Sequence, residues 1–171
     1  MTGQLATPRL AAGALFVKDA HLLLVHKTYG NGWDIPGGRV DYGESPAAAC
    51  RRELREELGL DRPPLRLLVH DWAPDDGEGD KILYVFSCGA LGDDEERIRV
   101  DGVELDRWAW VALHLVDRYV IPRLARRLTC AYTAYRDETV LYLEHGAPVL
   151  RPVPGVGSPP ACGLRGNPSP P

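Results

Sequence analysis

Residues 38–60 read GRVDYGESPAAACRRELREELGL, a turn running into a helix that carries Glu53, Glu56 and Glu57 on one side. A helix turns about 100° per residue, so these positions fall within roughly one 100° sector and the three carboxylates share a face. Like charges so placed repel by about a few tenths of a kcal/mol per pair on an open helix. A hard, oxygen-seeking divalent cation such as Mg²⁺ would turn that repulsion into a binding site. The plainer explanation is a solvated glutamate-rich face, because Glu is a good helix former. The neighbouring residues argue for more. Leu54 and Leu58 lie about 100° to 140° round from Glu53, with Ala47 and Cys50 on the same stripe, so the helix can dock on a core while the acids sit at the edge of a cleft. Arg51 and Arg55 then point to solvent. Arg52, one turn before Glu56 and beside Glu53, can hold a carboxylate in a bidentate, charge-assisted hydrogen bond or form an ordinary helix salt bridge.

The ends of this helix are also written in the sequence. Ser45 is a natural N-cap, Pro46 suits the first helical position, and Gly59 can take the left-handed conformation that stops the helix after Leu58. Pro36-Gly37-Gly38 precedes it. Glycines there let the backbone pass close to a ligand or metal, and a carbonyl of Gly37 or Gly38 could add an oxygen ligand, whereas the simple alternative is a tight turn.

Elsewhere, periodicity predicts a hairpin with strands near 14–17 and 22–25, strands at 65–72 and 82–88, and an acidic, glycine-bearing loop at 73–81 between the last two. Short strands are predicted at 97–100 and 105–111, a helix over 113–135, and a final hairpin over 139–150 turning at His145-Gly146. Beyond Ala147 the chain is rich in proline, glycine and serine, so 151–171 is expected to be a tail without stable structure. The order of elements fits a mixed sheet with helices on either side but by itself gives only α plus β, in one domain, about 1–146, with no internal repeat.

The 171 residues, 44% of them hydrophobic, suffice for one core, and a formal charge of −4 gives no basic field for a long nucleic acid. No apolar run reaches the length of a membrane span and no cleaved leader is evident, so a cytoplasmic location is expected. Cys50, Cys88, Cys130 and Cys162 are far apart without zinc-ligand spacing, which predicts free thiols, with Cys50 in the core.

The segment 38–60 resembles the box of the Nudix hydrolase family: Gly, five residues, Glu, seven residues, then Arg-Glu-aliphatic-x-Glu-Glu-x-Gly-aliphatic. Every fixed position is present, as Gly38, Glu44, Arg52, Glu53, Leu54, Glu56, Glu57, Gly59 and Leu60. The lead-in from Trp33 to Gly38 is similar as well, and the likeness extends in pattern over most of 10–145. That resemblance implies a Nudix-type α/β/α sandwich with a mixed β-sheet flanked by helices. It also implies Mg²⁺-dependent hydrolysis, with Mn²⁺ able to substitute, of a diphosphate bond in a nucleoside diphosphate linked to another group. Candidate substrates are ADP-ribose, a nucleotide sugar, an oxidised nucleoside triphosphate or a dinucleoside polyphosphate. The expected metal ligands are Glu53, Glu56 and Glu57, with the Gly38 carbonyl a weaker candidate. Arg52 would orient the acids, and Glu44 would pair with Arg52 or hold a metal-bound water. Glu56 and Glu57 compete with Asp75, Asp76, Glu78, Glu95 and Glu104 for the role of general base. Lys27 could meet a phosphate and Trp33 could stack on a base, as could Tyr84, Phe86, Trp108 and Trp110, although aromatics in strands more often belong to the core. A non-catalytic nucleotide-binding sensor on the same fold is the alternative, and a plain interaction domain working through its tail is a third reading. Many members of that family pair into dimers, and a homodimer through 113–135 is one arrangement left open.

Overall fold

The computed structural model describes residues 3, 5–30, 32–75, 77 and 79–150. The tail at 151–171, with Cys162, lies outside the described residues, as do Asp76 and Glu78. The elements are β1 (Arg9–Leu15), β2 (Val17–Lys18), β3 (His21–Lys27), β4 (Trp33–Asp34), β5 (Gly37–Arg39), α1 (Pro46–Leu58), β6 (Arg66–Trp72), β7 (Lys81–Ser87), β8 (Leu105–Ala112), α2 (Pro122–Arg136), β9 (Leu141–Glu144) and β10 (Ala147–Pro148). The larger sheet runs β10-β9-β6-β7-β1-β5, and the smaller joins β2, β3, β4 and β8. In the larger sheet β1 is parallel to β7 and antiparallel to β5, while β6 is antiparallel to β7 and parallel to β9, which makes it mixed.

Two cores lie on opposite faces of these sheets. The run Leu22-Leu23-Leu24-Val25 in β3 is buried throughout because alternate side chains point to opposite faces and both faces are covered. Leu22 and Leu24 join α2 residues Leu124, Leu128 and Ala131 in one core, while Leu23 and Val25 join Ala12, Phe16, Leu54 and Leu58 against α1 in the other. The result is the expected sandwich of a mixed sheet flanked by helices. Gly13 permits the close layering of β1: a Cβ there would lie 2.6 Å from Cδ1 of Ile35.

The helix α1 follows its sequence signals. Ser45 accepts the N–H of Ala48 through its hydroxyl at 3.1 Å, Pro46 opens the helix, and Gly59 ends it at φ 68°. Its packing stripe differs in one residue from the sequence expectation, since Ala49 is buried and Ala47 is exposed. The hairpin at His145-Gly146 forms, with φ 52° and 78°, the left-handed pair that a tight β-turn of this hand needs.

Two expectations fail. The predicted helix over 113–135 is broken: Leu113–Arg118 forms a 3-10 turn, and α2 begins only at Pro122. Proline disfavours a helical conformation in the residue before it, and Ile121 is extended at φ −61° and ψ 151°. The face of α2 that could have joined two copies instead covers its own sheet, through Leu124, Leu128, Ala131 and Ala134. The predicted strand at 97–100 is also absent. A 3-10 turn spans Gly92–Arg97, and Ile98 is buried without a sheet partner among the described residues. Its apolar pattern records packing on the core alone, with Arg99 N–H donating to the Leu58 carbonyl at 3.0 Å.

Leu54 is fully buried at the centre of the face that α1 presents. Leu54→Ala should therefore cost about 2–5 kcal/mol, as large-to-small changes in a packed core do. Thermal or chemical denaturation would show it, and a loss well under 1 kcal/mol would contradict this packing.

Candidate active site

The acids of α1 are brought against β5 and the floor of a cleft of about 670 Å³. Positions 54, 57 and 58 share a side of the helix, so docking Leu54 and Leu58 takes Glu57 inward too, leaving it 5% exposed. Its Oε2 accepts the N–H of Gly37 at 2.7 Å. The two glycines of β5 are explained by these contacts. Gly37 lies at φ 143°, where a Cβ would collide with the carbonyl of Ala12, and a Cβ on Gly38 would overlap the carboxylate of Glu53.

Arg52 organises the remaining acids. Its Nε and Nη2 donate to the two carboxylate oxygens of Glu44, at 3.1 and 3.0 Å, while Nη1 donates to Glu53 Oε1 at 2.8 Å and Glu56 Oε2 at 3.0 Å. Nη2 also donates to the carbonyl of Arg39 at 2.9 Å, so the guanidinium ties the helix to the end of β5. These bonds hold Arg52 well above the usual arginine range and draw Glu44 below the usual carboxylate range. Burial pushes Glu57 up to about 8; the Gly37 N–H and Lys27 oppose the rise, and the charges on Glu53 and Asp34 add to it. Burial raises Glu53 as well, against the pull of Arg52 and with a push from Glu56 and Glu104.

Among the described residues no three acidic, His or Cys side chains are drawn round a single point, since Glu53 and Glu56 each face Arg52 and Glu57 faces Gly37. The donor chemistry nevertheless fits a hard divalent cation. Two carboxylates whose charge is disfavoured by burial, a third at the rim and the backbone of Gly38 against Glu53 are oxygen donors that a positive ion would relieve.

Of the other sequence candidates, Lys27 borders the cleft, with Nζ 2.6 Å from Asp34 Oδ2. Burial pulls its pKa down, but Asp34 more than offsets this and leaves it raised. Trp33 is not part of the cleft wall. It packs on the core between His26 and Tyr119, with ring centroids at 5.2 and 5.6 Å, and the Arg107 guanidinium lies over its face. Tyr84 reaches the wall but is stacked on His70 at 5.0 Å, while Phe86, Trp108 and Trp110 pack on the core beneath α1. Glu95 is taken by Lys18 and the indole N–H of Trp110, and Asp75 by Arg123 at 2.7 Å. Among the described residues, Glu104 is the loop acid of that set left at the cleft.

Sequence reasoning missed Asp34, Tyr29, Asp101, Arg123 and Arg127, all in the cleft wall. Only Arg127 carried a detectable signal, a charge at helical spacing within the apolar stripe of Leu124, Leu128 and Ala131.

The profile of the NUDIX domain matches residues 7–132. An RNA pyrophosphohydrolase of Acidiphilium cryptum is 31% identical over 143 residues, covering 71% of this chain and 87% of that protein. A protein of Mycobacterium tuberculosis assigned provisionally as 8-oxo-dGTP diphosphatase 2 is 48% identical over 56% of this chain and 70% of its own length. Among solved structures, a MutT NUDIX hydrolase from Burkholderia pseudomallei superimposes with a TM-score of 0.61 at 25% identity, covering 74% of this chain and 98% of that one.

A carboxyl raised from an ordinary 4.5 to about 8 by folding binds its proton more tightly in the folded state. Its contribution to stability is complete below about 4.5 and is lost as pH climbs through about 8. Glu57→Gln, neutral at every pH, should match the parent in thermal stability near pH 5 in the presence of chelator and overtake it progressively towards pH 9. Parallel curves for the two proteins would contradict the burial of that charge.

Proposed function

This chain belongs to the NUDIX domain family of pyrophosphohydrolases, and from that premise we propose that it hydrolyses a diphosphate bond in a small nucleotide with the help of Mg²⁺. The observation that carries the proposal is the pair of desolvated carboxylates, Glu57 on Gly37 and Glu53 on Gly38, facing a cleft of nucleotide size. In this reading Glu53, Glu56 and Glu57 hold the cation, aided by the Gly38 carbonyl. A divalent ion supplies charge neutralisation at the diphosphate and Lewis acidity.

The chain's own residues do the positioning. Glu44 fixes one edge of the Arg52 guanidinium, and the opposite edge fixes Glu53 and Glu56, so the acids keep their rotamers when a polyanion arrives. Lys27, neutralised by Asp34 at rest, borders the same space and offers an ammonium to a phosphoryl oxygen. Glu56 and Glu104 are exposed carboxylates at the cleft with room to accept a proton from an attacking water.

A cleft of about 670 Å³ takes one nucleotide, and the formal charge of −4 provides no track for a long polyanion. A small nucleotide is therefore favoured over RNA, although the name of the Acidiphilium relative makes a 5′-triphosphorylated oligonucleotide a necessary member of any substrate panel.

The test is a panel of nucleoside triphosphates, oxidised nucleotides, ADP-ribose, nucleotide sugars and that oligonucleotide, incubated with Mg²⁺ or Mn²⁺ and resolved by chromatography. At least one small nucleotide should yield a nucleoside monophosphate, and binding without turnover across the panel would identify a sensor instead. Glu57→Gln should lower kcat/KM by about a hundredfold or more, in line with the loss of a group that organises transition-state charge. Arg52→Ala should lower both turnover and thermal stability, because it releases four hydrogen bonds to acids as well as the one to Arg39.

A further inference from the structure

One face of the larger sheet is only partly covered. Cross-strand neighbours share a face, and two rows of them lie on the side that carries α1. Tyr142, His70, Tyr84 and Ala12 stand opposite one another in one row, and Glu144, Trp72, Ile82 and Leu10 in the next. The helix α1 packs on β1 and β5 and only lightly on β7, while α2 covers β6, β9 and β10 from the other side. Among the described residues, no helix packs over β6 and β9 on the α1 side. Leu10, Trp72, Ile82 and Tyr142 are half-buried there and belong to neither of the two cores. His70 stacks on Tyr84 with ring centroids 5.0 Å apart and meets Tyr142 edge-on at 5.7 Å, so the rings form an ordered row. A contiguous apolar patch of this kind marks a docking surface.

The chain brings its own occupant to the edge of that face. At the end of the sheet β10 pairs with β9, Ala147 opposite Glu144 and Pro148 opposite Leu143. The same register sets Val149, 50% exposed, opposite Tyr142 and therefore at the end of the aromatic row. The segment that follows, 151–171, includes Pro152, Pro154, Pro159 and Pro160, and carries Arg151 and Arg165 with no acid. A proline-rich segment suits an aromatic surface, because its rings are apolar, its extended form is set beforehand and it has fewer backbone N–H groups to leave unpaired. Its length is sufficient. From β10 to β7 is three strand spacings, about 14 Å, and nine residues in the polyproline form reach about 28 Å. Charge agrees as well, since the exposed carboxylate of Glu144 stands on this face and the segment is cationic.

We propose that residues 151–160 dock in cis across the α1 side of β9, β6 and β7, with their proline rings against Tyr142, Trp72 and Tyr84. The segment then supplies the covering layer that no helix provides over that half of the sheet. It lies on the opposite side from Leu83 and Val85 of the cleft floor, so the contact does not depend on the catalytic reading.

Nuclear magnetic resonance on the full, isotopically labelled chain tests this. Overhauser contacts are expected between the proline ring protons of 152–160 and the rings of Tyr142 and Trp72. A full-length variant carrying Pro152→Ser, Pro154→Ser, Pro159→Ser and Pro160→Ser changes nothing inside the folded domain. It should lose those contacts and shift the Trp72 indole N–H and the Ile82 and Tyr142 amide signals, while the signals of Leu124 and Leu128 in the α2 core stay in place. Mixing labelled with unlabelled chains, and sedimentation to count copies, identifies which chain supplies the contact. Contacts within one chain support the proposal. Contacts seen only between chains overturn it, and so does burial of the face against the folded domain of a second copy. A variant spectrum that changes only at the substituted residues and their chain neighbours overturns it too. Each outcome is read from ring contacts and signal shifts, and holds whether or not the chain turns over a diphosphate.

Discussion

The guanidinium of Arg52 is the interaction on which the site depends. Four of its contacts go to carboxylate oxygens of Glu44, Glu53 and Glu56, and one to the Arg39 carbonyl. Without that cation the half-buried Glu53 would face Glu56 and the buried Glu57 with nothing between them, in a region where burial already disfavours charge. Lysine would not replace it, since a single ammonium lacks the planar fork that reaches four carboxylate oxygens and a backbone carbonyl together. The same contact that organises the acids therefore also sets the distance between α1 and β5, and the turn between them has little freedom left.

This arrangement gives the cleft two unlike ends. Glu53, Glu56 and Glu57 line one end, with Glu104 at its border, and Arg123 and Arg127 stand at the other, each paired with an aspartate. Between them the floor is small and apolar where β1 and β7 pair in register, Ala11 opposite Leu83 and Gly13 opposite Val85. A molecule charged at one end and uncharged at the other is complementary to that gradient. A symmetrical polyanion is not, because its second charge would meet aspartates already engaged with the arginines.

The acidic end was legible in the sequence because it is encoded locally. Ser45, Pro46 and Gly59 bound one helix, the spacing of Glu53, Glu56 and Glu57 puts them together, and the Arg52 bonds span no more than 13 residues. The far end was not legible. Asp71 and Arg127 are 56 residues apart, and Asp71 and Gly146 are 75 apart, so no periodicity links them. Trp33 illustrates the opposite error: its place in a motif-like lead-in suggested a ligand contact, but β4 pairs with β3 and turns the indole into the core. The run at 97–100 was misread for a related reason, since burial on one side produces an apolar pattern whether or not a neighbouring strand exists.

The misread helix at 113–135 has the most consequence for the site. Helical periodicity is satisfied on both sides of Tyr119, and only Pro122 marks the break, through the extended conformation it imposes on Ile121. That break restarts the helix in a new direction, so that Ile121, Arg123, Leu124 and Arg127, all within the first six residues of α2 or just before it, become cleft wall. Had the helix run on unbroken from Leu113, the residue before position 122 would have needed helical angles, and the same four side chains would have been committed to a continuous packing stripe. The proline thus makes the start of a structural helix into one wall of the cleft. The acid helix does the reverse, placing a carboxylate that lines the cleft, Glu57, inside a packing stripe that Leu54 and Leu58 define.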